Sequence, residues 1–246
     1  MGDLKVSIKD ESTTGLLSDH INLIMTHLDT ELFQLKNEII EMWKLVGLQL
    51  KKTHNALITF DKDLAREVMA TEKRVNAMEL KVDRDCENIF ALFNPVAVDL
   101  RFVLAVLKIN SNLERIGDIA EGLARLILIV ENRFDAKLLE ATRILIMYEE
   151  ANKIVEDVLQ AFENEETKIA RGIFMRDEFL DEINSNCHVV LIDYITLNPD
   201  KIEQGLYILS AIRKLERVGD QCKNIAEEII FYLEAKVLKH KGNTAK

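Results

Sequence analysis

The 246-residue chain has only nine glycines and two prolines. So few turn formers exclude the many tight reversals of a β-rich fold, and an all-α protein is expected. Cysteine is scarce as well: Cys86, Cys187 and Cys222 are odd in number, far apart and without a C-x-x-C. That excludes a disulfide framework or a cysteine zinc site and implies reduced, partly buried thiols. Apolar runs such as "FVLAVL" and "LILIV" fall far short of the ~20 residues that span a bilayer. The N-terminal "MGDLKVSIKDESTTGLLSDH" lacks the continuous apolar core of a signal peptide and reads as a soluble extension. Basic clusters are missing too. With 42 Asp and Glu against 32 Lys and Arg, the net charge of −10 argues against a nucleic-acid surface. The basic "KVLKHKGNTAK" at the C-terminus is short and reads as a solvated tail. There is no Gly-rich phosphate loop, G-x-S-x-G or H-E-x-x-H. None of the five histidines lies three residues after a glutamate, so the E-x-x-H of di-iron carboxylate enzymes is absent.

What is present is a helical pattern that occurs twice. Both prolines follow asparagine, at Asn94-Pro95 and Asn198-Pro199. Asn is a favoured N-cap and Pro suits the first helical position, so each pair predicts a helix start. From Pro95 to about Glu131, Leu113, Ile116, Ala120, Leu123 and Ile127 form one apolar stripe. After Pro199 the matching stripe is Leu215, Val218, Cys222, Ile225 and Ile229. Two further helices precede each Asn-Pro, roughly Leu28 to Thr59 and Asp61 to Phe93, then Ala136 to Phe162 and Glu165 to Leu197. The pattern predicts two tandem, pseudo-symmetric three-helix bundles, six long antiparallel helices in all. The expected division is an extension over 1–24, repeats over 25–133 and 134–240, and a tail over 241–246. An extended coiled coil would also suit such helices, but the Asn-Pro breaks and broad apolar faces favour bundles.

Each third helix carries an acidic pair, Glu114 with Asp118 and Glu216 with Asp220. At i, i+4 the like charges share a face and repel by a few tenths of a kcal/mol. Counting back through the hairpin turns places them level with Glu72 and Asn76 in the first half, and with Asp177 and Asp181 in the second. A single E-x-x-x-D is ordinarily solvated surface, and Arg115 and Arg217 could form surface pairs with the acids. Doubled and levelled, the carboxylates instead point to a cation, with oxygen donors suited to Mg, Ca, Mn or iron. Glu79, Asp83 and Glu121 read as structural, because their second-half counterparts are Asn184, His188 and Lys223. Trp43 reads as core.

The stretch "FNPVAVDLRFVLAVLKINSNLERIGDIAEGLARL" resembles the signature helix of the PhoU family of phosphate-uptake regulators, and so does "IRKLERVGDQCKNIAEEIIFYLEA". The likeness runs from about Met25 to His240, with a doubled L-E-R-[IV]-G-D. It implies a cytoplasmic regulator rather than an enzyme, linking a phosphate-specific ABC transporter to a membrane sensor kinase and repressing the starvation response. A homodimer is among the assemblies expected. Some relatives carry multinuclear clusters on E(D)-x-x-x-D motifs. The resemblance therefore makes Glu72, Asn76, Glu114, Asp118, Asp177, Asp181, Glu216 and Asp220 the expected ligands of iron, or of Mg, Mn, Ca or Zn. Asn76 departs from the pattern, where an acid would stand. Two other readings stay open: a metal-dependent helical-bundle enzyme, and a phosphate-responsive module of a sodium/phosphate cotransporter.

Overall fold

A computed structural model describes residues 26–238. The N-terminal extension expected over 1–24 and the tail over 241–246 lie outside the described residues. Helix α1 spans His27–Thr59, α2 Lys62–Phe93, α3 Ala97–Ile129, α4 Ala136–Ala141, α5 Ile144–Glu163, α6 Thr167–Leu197 and α7 Ile202–Glu234. A 3-10 turn, Pro199–Lys201, leads into α7. The described chain is all-α and has no strand.

Local chemistry explains several boundaries. Thr26 and Asp29 form a reciprocal capping box at the start of α1. Asp61 caps α2 by accepting from the Asp63 and Leu64 amides, each at 2.9 Å. The first Asn-Pro pair behaves differently from the expected helix start. Asn94 adopts the left-handed conformation (φ 47°) and ends α2, and α3 begins only at Ala97. Asparagine tolerates that conformation, and a proline just beyond cannot continue the helix, so the pair reads as a stop. At Asn198 the side-chain amide donates back to the Tyr194 carbonyl at 2.9 Å, while Pro199 opens the 3-10 turn rather than α7 itself.

The helix expected over 136–162 is broken at Thr142 and Arg143, where φ is 57°. Leu138 and Ile144, on either side of the break, are both fully buried. The buried Thr142 hydroxyl, donating to the Leu138 carbonyl at 2.8 Å, closes the short α4.

Helices α1, α2 and α3 pack on one another, as do α5, α6 and α7; α3 against α7 and α1 against α5 join the two bundles. Both apolar stripes are buried throughout. An aromatic cluster ties four helices at the joint. Trp43 (α1), Phe102 (α3) and Tyr232 (α7) each lie with ring centroids 5.8–6.2 Å from Phe162 of α5. The three cysteines are free and buried, and burial pushes the Cys86 and Cys187 thiols up to about 12 and 11. Those thiols have little nucleophilic character at neutral pH.

Candidate acidic site on the motif helices

Helices α3 and α7 run antiparallel. Lys108 reaches Glu228 at 3.0 Å, the Asn224 amide faces Asn112 at 3.5 Å, and Gly122 lies beside Lys214. Gly117 and Gly219, the glycines of the two L-E-R-x-G-D motifs, therefore stand level at the pseudo-dyad. Each faces a buried carboxylate of the neighbouring helix. A Cβ at Gly117 would stand 3.1 Å from Glu72 Oε2, and one at Gly219 would stand 2.6 Å from Asp177 Oδ1. The motif glycine thus makes room for a carboxylate that α2 or α6 drives into the core. Glycine costs roughly 1 kcal/mol relative to alanine inside a helix. Its recurrence at the same place in two long helices is the sequence signal for this seat.

Glu72 is only 5% exposed and Asp177 only 1%. In the first half, Gln49 Nε2 donates to Glu72 Oε2 at 2.9 Å, leaving Oε1 without a partner. In the second, Lys223 Nζ donates to Asp177 Oδ2 at 2.7 Å, leaving Oδ1 without one. An unmet buried carboxylate oxygen costs a few kcal/mol, so both sites have spare capacity for a donor or a cation.

Around Glu72 lie Glu79, Glu114, Asp118 and Glu121. Burial first, then the Asp118, Glu79 and Glu72 charges, push the Glu114 carboxyl up to about 7. Glu72 is raised mainly by burial against the lowering effect of Gln49, and Glu79 by burial and the Asp83 and Asp118 charges. Asn76 is exposed and takes no part in these interactions. Glu79 is the α2 side chain whose charge, with that of Glu72, bears on Glu114. Glu79 and Asp83 stand level with Asn110, whose side-chain amide donates to the Glu79 backbone carbonyl at 2.9 Å and to Asp83 Oδ1 at 2.8 Å. That puts Glu79 about one turn from Glu114, close enough for its charge to raise the Glu114 carboxyl.

In the second half Glu216 is raised by burial and by Asp220, Asp181 and Asp177. Asp177 is raised by burial and lowered by Lys223. Lys223 stands where the first half has Glu121, which instead pairs with Arg125 at 2.9 Å. The two clusters therefore differ in composition: the second holds an ammonium among its carboxylates, and the first holds carboxylates only. Arg115 and Arg217 form no ion pair with Asp118 or Asp220; they lower Glu114 and Glu216 only through space. Among the described residues, no three Asp, Glu, His or Cys side chains are arranged to ligate one ion as they stand. None of the described helices is long and apolar enough to cross a membrane.

Comparison with known proteins agrees with this doubled architecture. The PhoU domain pattern matches residues 39–127 and 144–229, which include both motifs. The phosphate-specific transport system accessory protein PhoU of Edwardsiella tarda is 32% identical over 227 residues, covering 91% of this chain and 93% of its own. The protein of that name from Escherichia coli (strain K12) is 31% identical, with the same coverage. The crystal structure of PhoU from Pseudomonas aeruginosa superposes with a TM-score of 0.78 at 29% identity, over 85% of this chain and all of that one. The phosphate transport system regulatory protein PhoU from Streptococcus pneumoniae gives 0.75 at 27% identity, over 86% and 99%.

Proposed function

The chain belongs to the PhoU family, and from that premise we propose that it is a non-enzymatic regulator of phosphate uptake. It acts in the cytoplasm as an adaptor between a phosphate-specific ABC transporter and a sensor kinase, and holds the starvation response off while phosphate is plentiful. The observation that carries this reading is the match of both halves, motif helices included, to relatives named as accessory or regulatory proteins. A regulator of this kind acts by binding one partner state more tightly than another. Deleting the gene should leave a starvation reporter on in high phosphate, and the intact chain should capture both transporter and kinase from membranes. A reporter that stays off in the deletion strain would overturn the reading. Capture of a sodium/phosphate cotransporter in place of the ABC system would do so too.

The acidic clusters enter this reading as cation sites. Glu72, Glu114 and Asp118, joined by Glu79, offer only oxygen donors, one of them a buried oxygen without a partner, and this fits a hard divalent ion. Asn76 and the set Asp177, Asp181, Glu216 and Asp220 complete the expected ligands. A bound ion would neutralise the clustered charge and tie α2 to α3. The second set fits less well, because Lys223 already supplies one positive charge to Asp177. Elemental analysis of the purified protein tests this part: an ion retained after dialysis and lost on replacing Glu72 and Glu114 with Gln supports it.

A further inference from the structure

Between α3 and α7, on one side of the pseudo-dyad, lies an open hollow of about 440 Å³. Its charged lining is Arg115, Arg125, Lys214 and Arg217, with Asp118 and Glu121. Four cations therefore converge against two carboxylates, in a chain whose net charge is −10. Glu121 is held by Arg125. Among the described residues, Arg115, Lys214 and Arg217 have no carboxylate within ion-pairing distance. The two arginines come from the two L-E-R-x-G-D motifs, so each half of the molecule contributes one.

The hollow is built rather than incidental, as its dyad-related counterpart makes clear. By the repeat offset, Lys214 corresponds to Asn112, Gly122 to Asn224 and Arg125 to Glu227. On that other side the Asn224 and Asn112 side chains meet across the helices at 3.5 Å, and Lys108 is taken up by Glu228 at 3.0 Å. Only the first side has exchanged these residues for two cations and a glycine. A Cβ at position 122 would stand 2.7 Å from Lys214 Nζ, so a side chain there would turn the flexible lysine aside. Without a side chain there, the ammonium lies against the α3 backbone and stays within the hollow.

We propose that this hollow binds a phosphate-bearing anion, held by Arg115, Lys214 and Arg217. Two guanidinium forks and one ammonium match an anion with several tetrahedrally arranged oxygens and more than one charge. Leu126 and Ile129 form an apolar wall beside the cations and can cover the organic part of a phosphate ester. Asp118 opposes the anion, so its charge tunes the affinity downward. The inference goes beyond the regulator reading and stands on the lining of this hollow alone.

Equilibrium dialysis of the purified full-length chain against inorganic phosphate, pyrophosphate and ATP, with chelator present to remove divalent cations, tests it. Saturable binding of at least one of the three is expected. Lys214→Gln and Arg217→Gln should each weaken it about tenfold or more, the loss of a charge-assisted contact. Asp118→Asn should tighten it, and Lys108→Gln, on the dyad-related side, should leave it unchanged. Phosphate or pyrophosphate binding as tightly as ATP identifies an inorganic ligand, whereas tighter ATP identifies an ester whose organic part lies on the apolar wall. The proposal is overturned if none of the three binds saturably at millimolar concentration. It is equally overturned if binding survives an Arg115→Gln, Lys214→Gln double variant with unchanged circular dichroism. Either failure leaves the regulator reading intact, because that reading is tested in cells and by partner capture.

Discussion

At the scale of single residues, the site turns on two glycines and the carboxylates they admit. A methyl at Gly219 would press on Asp177 Oδ1 at 2.6 Å and on Leu180 Cδ1 at 2.8 Å. Gly219→Ala should therefore destabilise by about 1–3 kcal/mol, overpacking outweighing the gain in helix propensity. At Gly117 the nearest atoms are 3.1–3.2 Å away, so Gly117→Ala should come out near neutral. Urea denaturation of both variants checks the contrast, and equal effects would mean that the two seats are equivalent. Glu114 gives a pH signature. Its carboxyl is raised from 4.5 to about 7, so the folded state holds that proton more tightly than the unfolded chain. Its contribution to stability is fully present below pH 4.5 and is lost as pH rises through 7. With chelator present, Glu114→Gln should raise the melting temperature at pH 8 and leave it nearly unchanged at pH 5. Melting curves at the two values decide it; a variant that melts lower at pH 8 would contradict the origin assigned to the shift.

At the scale of elements, the helix ends carry most of the information. Asn94 closes α2 in the left-handed conformation, which costs alanine more than asparagine or glycine. Asn94→Ala should lower stability by about 1 kcal/mol, while Asn94→Gly should be neutral or slightly stabilising. The urea midpoints of the pair report this, with unchanged slopes required for the comparison. Within α2 the angular position decides the rest: Glu72, Val75, Glu79, Val82 and Cys86 share one face, whereas Asn76 is turned about 100° from Val75 and faces solvent. The break between α4 and α5 is of another kind. No glycine or proline marks it, and the fully buried Leu138 and Ile144 flank it on either side.

At the scale of the whole molecule, the halves are joined by packing rather than by the chain alone. Phe162 is fully buried and touches rings from α1, α3 and α7. Truncating it should cost about 3–5 kcal/mol. Because the cluster is shared, the loss should appear as a single transition, with Trp43 fluorescence and far-UV circular dichroism coincident. Separate transitions in Phe162→Ala would mean that the bundles are stable independently. The α3–α7 seam also brings the two motifs side by side, which places Arg115 and Arg217 in one hollow and sets the acid clusters on either side of the dyad.

The sequence by itself determined the helical class, the doubled arrangement and the acidic faces. Those follow from local facts: the apolar period fixes which face of a helix is buried, and repeated motifs at a constant offset repeat the geometry. The Lys223-for-Glu121 exchange was equally visible in the sequence, though its consequence was not. Only the tertiary structure decided that Glu72 and Asp177 are buried against glycines, that Lys223 pairs with Asp177 in one cluster, and that Glu79 belongs to the other. It alone turned the two motif arginines from surface partners of their own acids into neighbours across a shared hollow. The physical reason is the same in each case. Which side chains meet across two helices depends on loop length and on where the axes come close, to within one helical turn. Neither quantity is encoded in the residues that meet.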